Sequence, residues 1–190
     1  MATMSQIKVV LLGESGVGKT CIVQRFAHDK FNEDSTSTLG AMFISKILDL
    51  PEQNTTIKYQ IWDTAGQEKY RSLAAMYYQD AAAAILVYDI TNRASFEGIV
   101  FWMTELKAKA PDGIRITIAA NKSDLVEQEV VHSSEAQKFA EENNAFFKLT
   151  SAKDGAGIRE MFLGIATSLG QVSTGSGSSQ KAGTKVSTQY

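Results

Sequence analysis

Six strand-length segments punctuate this chain, and most of the stretches between them carry apolar residues at helical spacing. Ile7 to Leu12 is β-branched and leucine-rich and stops at Gly13, which predicts a buried strand feeding a glycine-containing turn, with a helix starting near Lys19. Ala82 to Tyr88, Ile114 to Ala120 and Ala145 to Leu149 are further buried strands by length and composition. Met42 to Leu50 and Thr55 to Trp62, joined through Pro51-Glu52-Gln53-Asn54, predict an antiparallel hairpin. Two helices are plain: Ser95 to Ala108, with Phe96, Ile99, Val100 and Met103 on one face, and Gly157 to Leu169, with Ile158, Met161, Phe162 and Ile165 on one face. The alternation predicts an α/β domain of six strands and about five helices, a mostly parallel sheet with one antiparallel edge strand and helices on both faces.

From Gly170 the periodicity stops and Ser, Gly and Thr take over, so little apolar surface remains to offset the entropy of ordering. The expectation is one domain over residues 1–169 and a disordered tail over 170–190. A length of 190 residues suits a single core. Hydrophobic residues at 44%, charged residues at 21% and a net charge of -2 give no basic excess that would call for nucleic acid. Cys21 is the only cysteine, so no internal disulfide forms, and a reducing cytoplasmic setting is expected. His28 and His132 stand far apart in sequence and read as surface or turn residues rather than metal ligands.

Candidate chemistry begins with Gly13-Glu14-Ser15-Gly16-Val17-Gly18-Lys19-Thr20, which fits GxxxxGK[ST] between a predicted strand and a predicted helix. Main-chain N–H groups of Ser15, Gly16, Val17 and Gly18 would wrap phosphate oxygens, helped by the helix dipole. Lys19 would neutralise the β and γ phosphates, Thr20 would offer its hydroxyl to Mg²⁺, and the Cys21 N–H would face the α-phosphate with the thiol packed inward. A purely structural glycine turn is the competing reading, and the full eight-residue pattern in context outweighs it.

That loop is shared by ATPases, nucleotide kinases and GTPases, so the base must be read elsewhere. Asn121-Lys122-Ser123-Asp124 follows a strand and therefore sits at the carboxyl edge of the sheet. The Asp124 carboxylate would accept from guanine N1–H and from its exocyclic amine, a pairing that adenine cannot supply. By itself the tetrapeptide is more often an ordinary turn; its order and spacing after the phosphate loop favour the site.

The set of motifs resembles the Ras-like small GTPases, with the P-loop NTPase fold that this implies. Thr150-Ser151-Ala152-Lys153 is similar to the family's third guanine element, whose N–H groups meet the base oxygen, and Asp63-Thr64-Ala65-Gly66-Gln67-Glu68 to its Asp-x-x-Gly element after the third strand. The resemblance implies that Asp63 holds Mg²⁺ through a water, Gly66 offers its N–H to the γ-phosphate, Gln67 orients the attacking water, Thr38 reaches both metal and γ-phosphate, and Phe31 packs on the guanine edge. It also implies slow hydrolysis of GTP to GDP, an exchange factor, an activating protein that inserts an arginine finger, nucleotide-dependent effectors and a monomeric chain.

Within the superfamily, Trp62 to Leu73 followed by Met76-Tyr77-Tyr78 resembles the Rab second switch, and Thr38-Leu39-Gly40-Ala41-Met42-Phe43 is similar to the endosomal Rab subgroup. Phe43, Trp62 and Tyr77 match the aromatic trio that faces Rab effectors, although core packing explains each of them singly. Only 26 residues separate Asp124 from Ser151, too few for the helical insertion of Rho proteins. The resemblance implies a role in vesicle or endosomal traffic, peripheral on membranes. These 190 residues end Ser187-Thr188-Gln189-Tyr190 with no cysteine after Cys21 to carry a prenyl group, and Lys181 and Lys185 make a poor electrostatic anchor; either a lipid-bearing terminus is missing from this sequence or the protein works unlipidated or through another tether, and the second is the expectation. A constitutively GTP-loaded scaffold, a non-trafficking Ras-like switch and an ATP-dependent kinase are the alternative functions.

Overall fold

A computed structural model describes residues 3–34 and 37–172. Among these residues six strands and five α-helices follow in the order β1 (Thr3–Leu12), α1 (Lys19–His28), β2 (Ala41–Leu50), β3 (Thr55–Thr64), α2 (Ala75–Tyr78), β4 (Ala83–Asp89), α3 (Arg93–Lys109), β5 (Arg115–Asn121), α4 (Ser133–Glu142), β6 (Phe146–Leu149) and α5 (Ile158–Ser168). One sheet orders them β2-β3-β1-β4-β5-β6, with β2 antiparallel to β3 and the other neighbours parallel. The chain therefore has the α/β fold expected from its periodicity.

Side chains alternate across the pleat, and the sheet has a core on each face. Ile7, Val9, Leu11, Ile57, Tyr59, Ile61, Ile85 and Val87 meet α1 and α5 on one side. Val10, Leu12, Ala84, Leu86, Tyr88, Ile118 and Ala120 meet α3 and α4 on the other. A shift of β1 by one residue would exchange these two sets, so the register is fixed by burial on both faces. In the first core Phe26 stacks on Phe162 at 3.8 Å, and the Tyr59 hydroxyl donates to the Phe162 carbonyl at 2.8 Å. Phe162→Ala is expected to cost about 3–5 kcal/mol, because Phe26 and Tyr59 would both lose the ring between α1 and α5. Chemical unfolding of the nucleotide-loaded protein checks this; a loss below about 1 kcal/mol would mean the pocket collapses around the gap.

The element boundaries depart from the sequence reading where backbone pairing outruns apolar patterning. β1 begins at Thr3 because it pairs with β3 from Thr3↔Thr55 onward. β3 continues to Thr64, since Met42↔Asp63 and Leu11↔Asp63 place Asp63 inside two ladders. The aspartate thus belongs to the end of the strand and does not follow it. Between β3 and β4 the chain forms a 3₁₀ segment, Glu68–Leu73, and the single turn of α2. The start of α3 moves to Arg93 because the Asn92 side chain accepts the Ser95 N–H at 3.2 Å, a cap that apolar spacing does not reveal.

At the C-terminal end the predicted tail begins inside the described structure. The Gln171 N–H donates to Ala166 O at 2.9 Å and Val172 packs against the first core, so residues 170–172 close α5. Residues 173–190, with Lys181 and Lys185, lie outside the described residues, as do the first two residues of the chain. Among the described residues no helix is long and apolar enough to cross a membrane.

Candidate functional site

The carboxyl ends of the parallel strands open on one edge of the sheet, and the loops that leave them enclose a cleft of about 440 Å³. Its walls bring together Ser15, Gly16, Gly18, Lys19, Thr20 and Cys21 from the first loop and helix, Phe31 and Thr38 from the segment before β2, Gly66 after β3, Asn121 at the end of β5, Lys122 and Asp124 after it, and Ala152 and Lys153 after β6. The other sequence-predicted residues stand behind or beside these walls: Val17, Asp63 and Ser151 are buried, and Gln67 is half-buried at the start of the 3₁₀ segment.

The phosphate-loop backbone is left-handed at Gly16 (φ 82°) and Gly18 (φ 97°), a conformation that an L side chain strains. Lys19 is the first residue of α1 and is buried, with its ammonium donating to Gly13 O at 2.9 Å and Glu14 O at 2.8 Å. Burial pulls its pKa down to about 8, against the opposing attraction of Asp63 and Glu14. A buried cation held against the loop backbone beside the cleft is suited to an anion of high charge. Asn121 ties the loops together: its amide donates to Val17 O at 2.8 Å, and its oxygen accepts from the Thr150 hydroxyl at 3.2 Å.

A second cluster is made of oxygens. The Thr20 hydroxyl lies 2.7 Å from that of Thr38 and donates to Asp63 Oδ2 at 2.6 Å. Asp63 Oδ1 is buried with no hydrogen-bond partner among the described residues, and burial raises the carboxyl above the usual range, against the Thr20 hydrogen bond and the Lys19 charge. Two hydroxyls and a carboxylate with an unsatisfied oxygen are hard donors that fit Mg²⁺, and their small number suits an ion whose shell is completed by phosphate and water. Among the described residues no group of three or more His, Cys, Asp or Glu side chains could hold a metal. An ion in this cleft would therefore depend on those oxygens.

On the base side, the exposed Asp124 carboxylate accepts the Ser151 hydroxyl at 2.7 Å, which leaves accepting capacity toward the cleft. Lys122, at φ 64°, places its ammonium 2.7 Å from Asp89 Oδ2, and its stem lines the cleft. Cys21 is partly buried and packs against the first core, and its thiol approaches Asn32 O at 3.8 Å. Phe43, Trp62 and Tyr77 form a row away from the cleft, with ring centroids 5.1 and 5.2 Å apart. Trp62 and Tyr77 lean on the second core, whereas Phe43 is 48% exposed.

Sequence reading passed over Asn32, Glu33 and Leu125, which also line the cleft. It also passed over Arg25, whose guanidinium reaches the 150–153 loop. Their partners lie across the chain or in loops without periodicity, so no local pattern marks them.

A family model described as "Ras family" matches residues 8–171. The chain is 48% identical over 165 residues to "Ras-related protein RABF2b" of Arabidopsis thaliana, covering 87% of this chain and 82% of that protein. It is 47% identical to "Ras-related protein RABF2a" of the same plant over the same shares, and 48% identical to "GTP-binding protein ypt5" of Schizosaccharomyces pombe over 89% and 80% of the two chains.

Proposed function

The chain belongs to the Rab family of Ras-like small GTPases, and on that premise we propose that its cleft binds GTP and GDP with Mg²⁺, hydrolyses GTP slowly and drives a switch in vesicle traffic. The observation that carries this reading is the meeting, in one cleft, of a buried lysine under the phosphate loop, the Thr20, Thr38 and Asp63 oxygens, and the Asp124 carboxylate. Phosphates lie along Ser15 to Thr20 with Lys19 beneath them, and the base lies between Phe31 and Lys122, with its N1–H and amine on Asp124 and its oxygen toward the Ala152–Lys153 backbone. Mg²⁺ held near Thr20, Thr38 and Asp63 would supply charge neutralisation of the phosphate oxygens.

Hydrolysis in this reading is in-line transfer of the γ-phosphoryl group to water. Gln67 orients the water, the Gly66 N–H and Lys19 stabilise charge on the γ-phosphate, and the phosphate-loop N–H groups do the same along the chain. A separate activating protein inserts an arginine, a contribution on the order of 10³–10⁵ in rate. An exchange factor reloads the site, and effectors read the 37–40 and 65–78 segments with Phe43, Trp62 and Tyr77. The GTP-binding unit spans residues 1–169 and is closed by 170–172, with 173–190 as its tail, and it acts as a monomer in the cytoplasm and peripherally on vesicle membranes, endosomal ones above all.

The direct test titrates nucleotide-free protein with fluorescent GTP, GDP and ATP analogues. Tight binding of the guanine pair and binding of ATP weaker by about 10³-fold or more supports the site; comparable ATP binding would remove Asp124 from its role. Thr20→Ala should separate the metal contribution: EDTA speeds GDP release from the wild type, and in the variant release is already fast and changes less than about threefold on adding EDTA. Gln67→Leu should slow single-turnover hydrolysis by about 10–100-fold, since a poorly placed nucleophile loses a factor of this size. An equal rate in variant and wild type would leave the GTP-loaded scaffold as the better account. Affinity capture with GTP-loaded and GDP-loaded protein tests the switch itself, and a partner set identical for both forms would overturn it.

A further inference from the structure

We propose that Arg25, on the last turn of α1, is a positioning residue for guanine recognition, acting through the peptide that joins Ala152 to Lys153. The inference rests on the guanine-nucleotide reading of the cleft and assigns a role to a side chain that does not line it. Arg25 Nε donates to Ala152 O at 2.9 Å, and Nη2 donates to Lys153 O at 2.6 Å. Its own orientation is fixed by Nη1, which donates to the Asp29 carboxylate at 2.8 Å and to Asp29 O at 3.4 Å. Asp29 terminates α1 in a left-handed conformation, so the helix end and the guanidinium brace each other.

The 151–156 loop uses most of its N–H groups internally. Ser151 N donates to Ala156 O, Asp154 N to Ser151 Oγ, Gly155 N to Ser151 O and Ala156 N to Asp154 Oδ1. Among the described residues no hydrogen bond takes the N–H of Ala152 or of Lys153, and both residues line the cleft. A trans peptide is planar, with its C=O and N–H pointing in opposite directions. Whatever holds the carbonyl of such a peptide therefore aims its N–H. The peptide bearing the Ala152 N–H has its carbonyl, Ser151 O, held by Gly155 N within the loop. The peptide bearing the Lys153 N–H has its carbonyl, Ala152 O, held by Arg25. Two donors on residues that line the cleft are thus oriented by two pins on their carbonyls, and one of the pins comes from 127 residues away in sequence.

Arg25 is suited to the task in a way that the neighbouring ion pair is not. Lys153 Nζ also meets Glu33 at 2.8 Å, but both side chains are more than half exposed, the regime in which a pair adds little. The Arg25 side chain is only 19% exposed, and its planar fork holds two successive carbonyls with donors set in fixed directions, which the point charge of an ammonium does not provide.

Release of GDP and of 6-thioguanosine diphosphate from wild type, Arg25→Met and Arg25→Lys provides the test. The thio analogue keeps the ribose, phosphates, N1–H and C2 amine, and presents a weakly accepting sulfur where guanine has its oxygen. Methionine keeps an apolar stem and removes all donors. Wild type should release the analogue faster than GDP; Arg25→Met should speed GDP release by about tenfold and analogue release by less than about threefold, with Arg25→Lys between wild type and Arg25→Met for GDP. Equal acceleration of both nucleotides would make Arg25 a general brace of the fold and overturn the proposal, as would no acceleration of either. If Arg25→Met yields no folded protein, Arg25→Lys carries the same comparison. A wild type that does not hold GDP at all would instead remove the guanine reading, an outcome separate from any behaviour of the variants.

Discussion

Asp124→Asn is expected to change the base that this protein prefers, from guanine to xanthine. A carboxylate accepts twice, and guanine offers N1–H and the C2 amine as its two donors. An amide accepts once and donates once, and xanthine keeps N1–H but has an oxygen at C2. In the variant the guanine amine would face the N–H of the introduced amide, and one good contact would become a repulsive one. The Ser151 hydroxyl that donates to Asp124 Oδ1 at 2.7 Å can donate equally to an amide oxygen, so the side chain should keep its place with the amide nitrogen toward the cleft. Loss of a charge-assisted pair together with a mismatch predicts GDP affinity lower by about 10²–10⁴-fold and a gain for xanthosine diphosphate of similar order. Competition of the two diphosphates against a fluorescent guanine analogue reads both numbers. Retention of wild-type preference would show that the base is selected elsewhere in the cleft.

The reach of the sequence follows from which interactions are local. Residues facing the two cores alternate along each strand, so Val9 and Leu11 separate from Val10 and Leu12 by parity alone, and the helix faces follow from spacing. The phosphate loop is legible because its chemistry needs a contiguous glycine-bearing turn, and Asp124 because one carboxylate at the sheet edge has a specific partner. Boundaries set by pairing are less visible. Asp63 interrupts the apolar alternation, yet its backbone belongs to two ladders and its carboxylate is buried. Contacts between distant segments leave no trace in either pattern, and Arg25 beside Ala152 and Arg71 beside Glu14 are of this kind.

The pairing of Glu14 with Arg71 bears on the second large effect, that of Gly66→Ala. A Cβ added at Gly66 would lie 2.3 Å from Ser15 N and 2.4 Å from the Glu14 carbonyl carbon, closer than non-bonded atoms approach, so one of the two segments must move. The phosphate loop is the less free of the two. Glu14 sends its carboxylate between Arg71 and α3, where a Cβ on Gly98 would stand 2.6 Å from it, and Arg71 in turn lies over the Phe101 ring. Lys19 pins Gly13 and Glu14 from below, and Asn121 pins Val17. The displacement therefore falls on residues 65–67, carrying Gln67 and the Gly66 N–H away from the phosphate loop. GDP, which lacks the γ-phosphate that these two groups serve, should bind within about threefold of wild type, whereas single-turnover hydrolysis of GTP should fall by about 10²-fold or more. Trp62, close to the displaced segment in sequence and in contact with Tyr77 beyond it, should give a smaller fluorescence difference between the GTP and GDP forms. Hydrolysis at the wild-type rate in Gly66→Ala would mean that the segment works from a position other than the one it occupies against Glu14 and Ser15, and Gln67 would lose its assigned role with it.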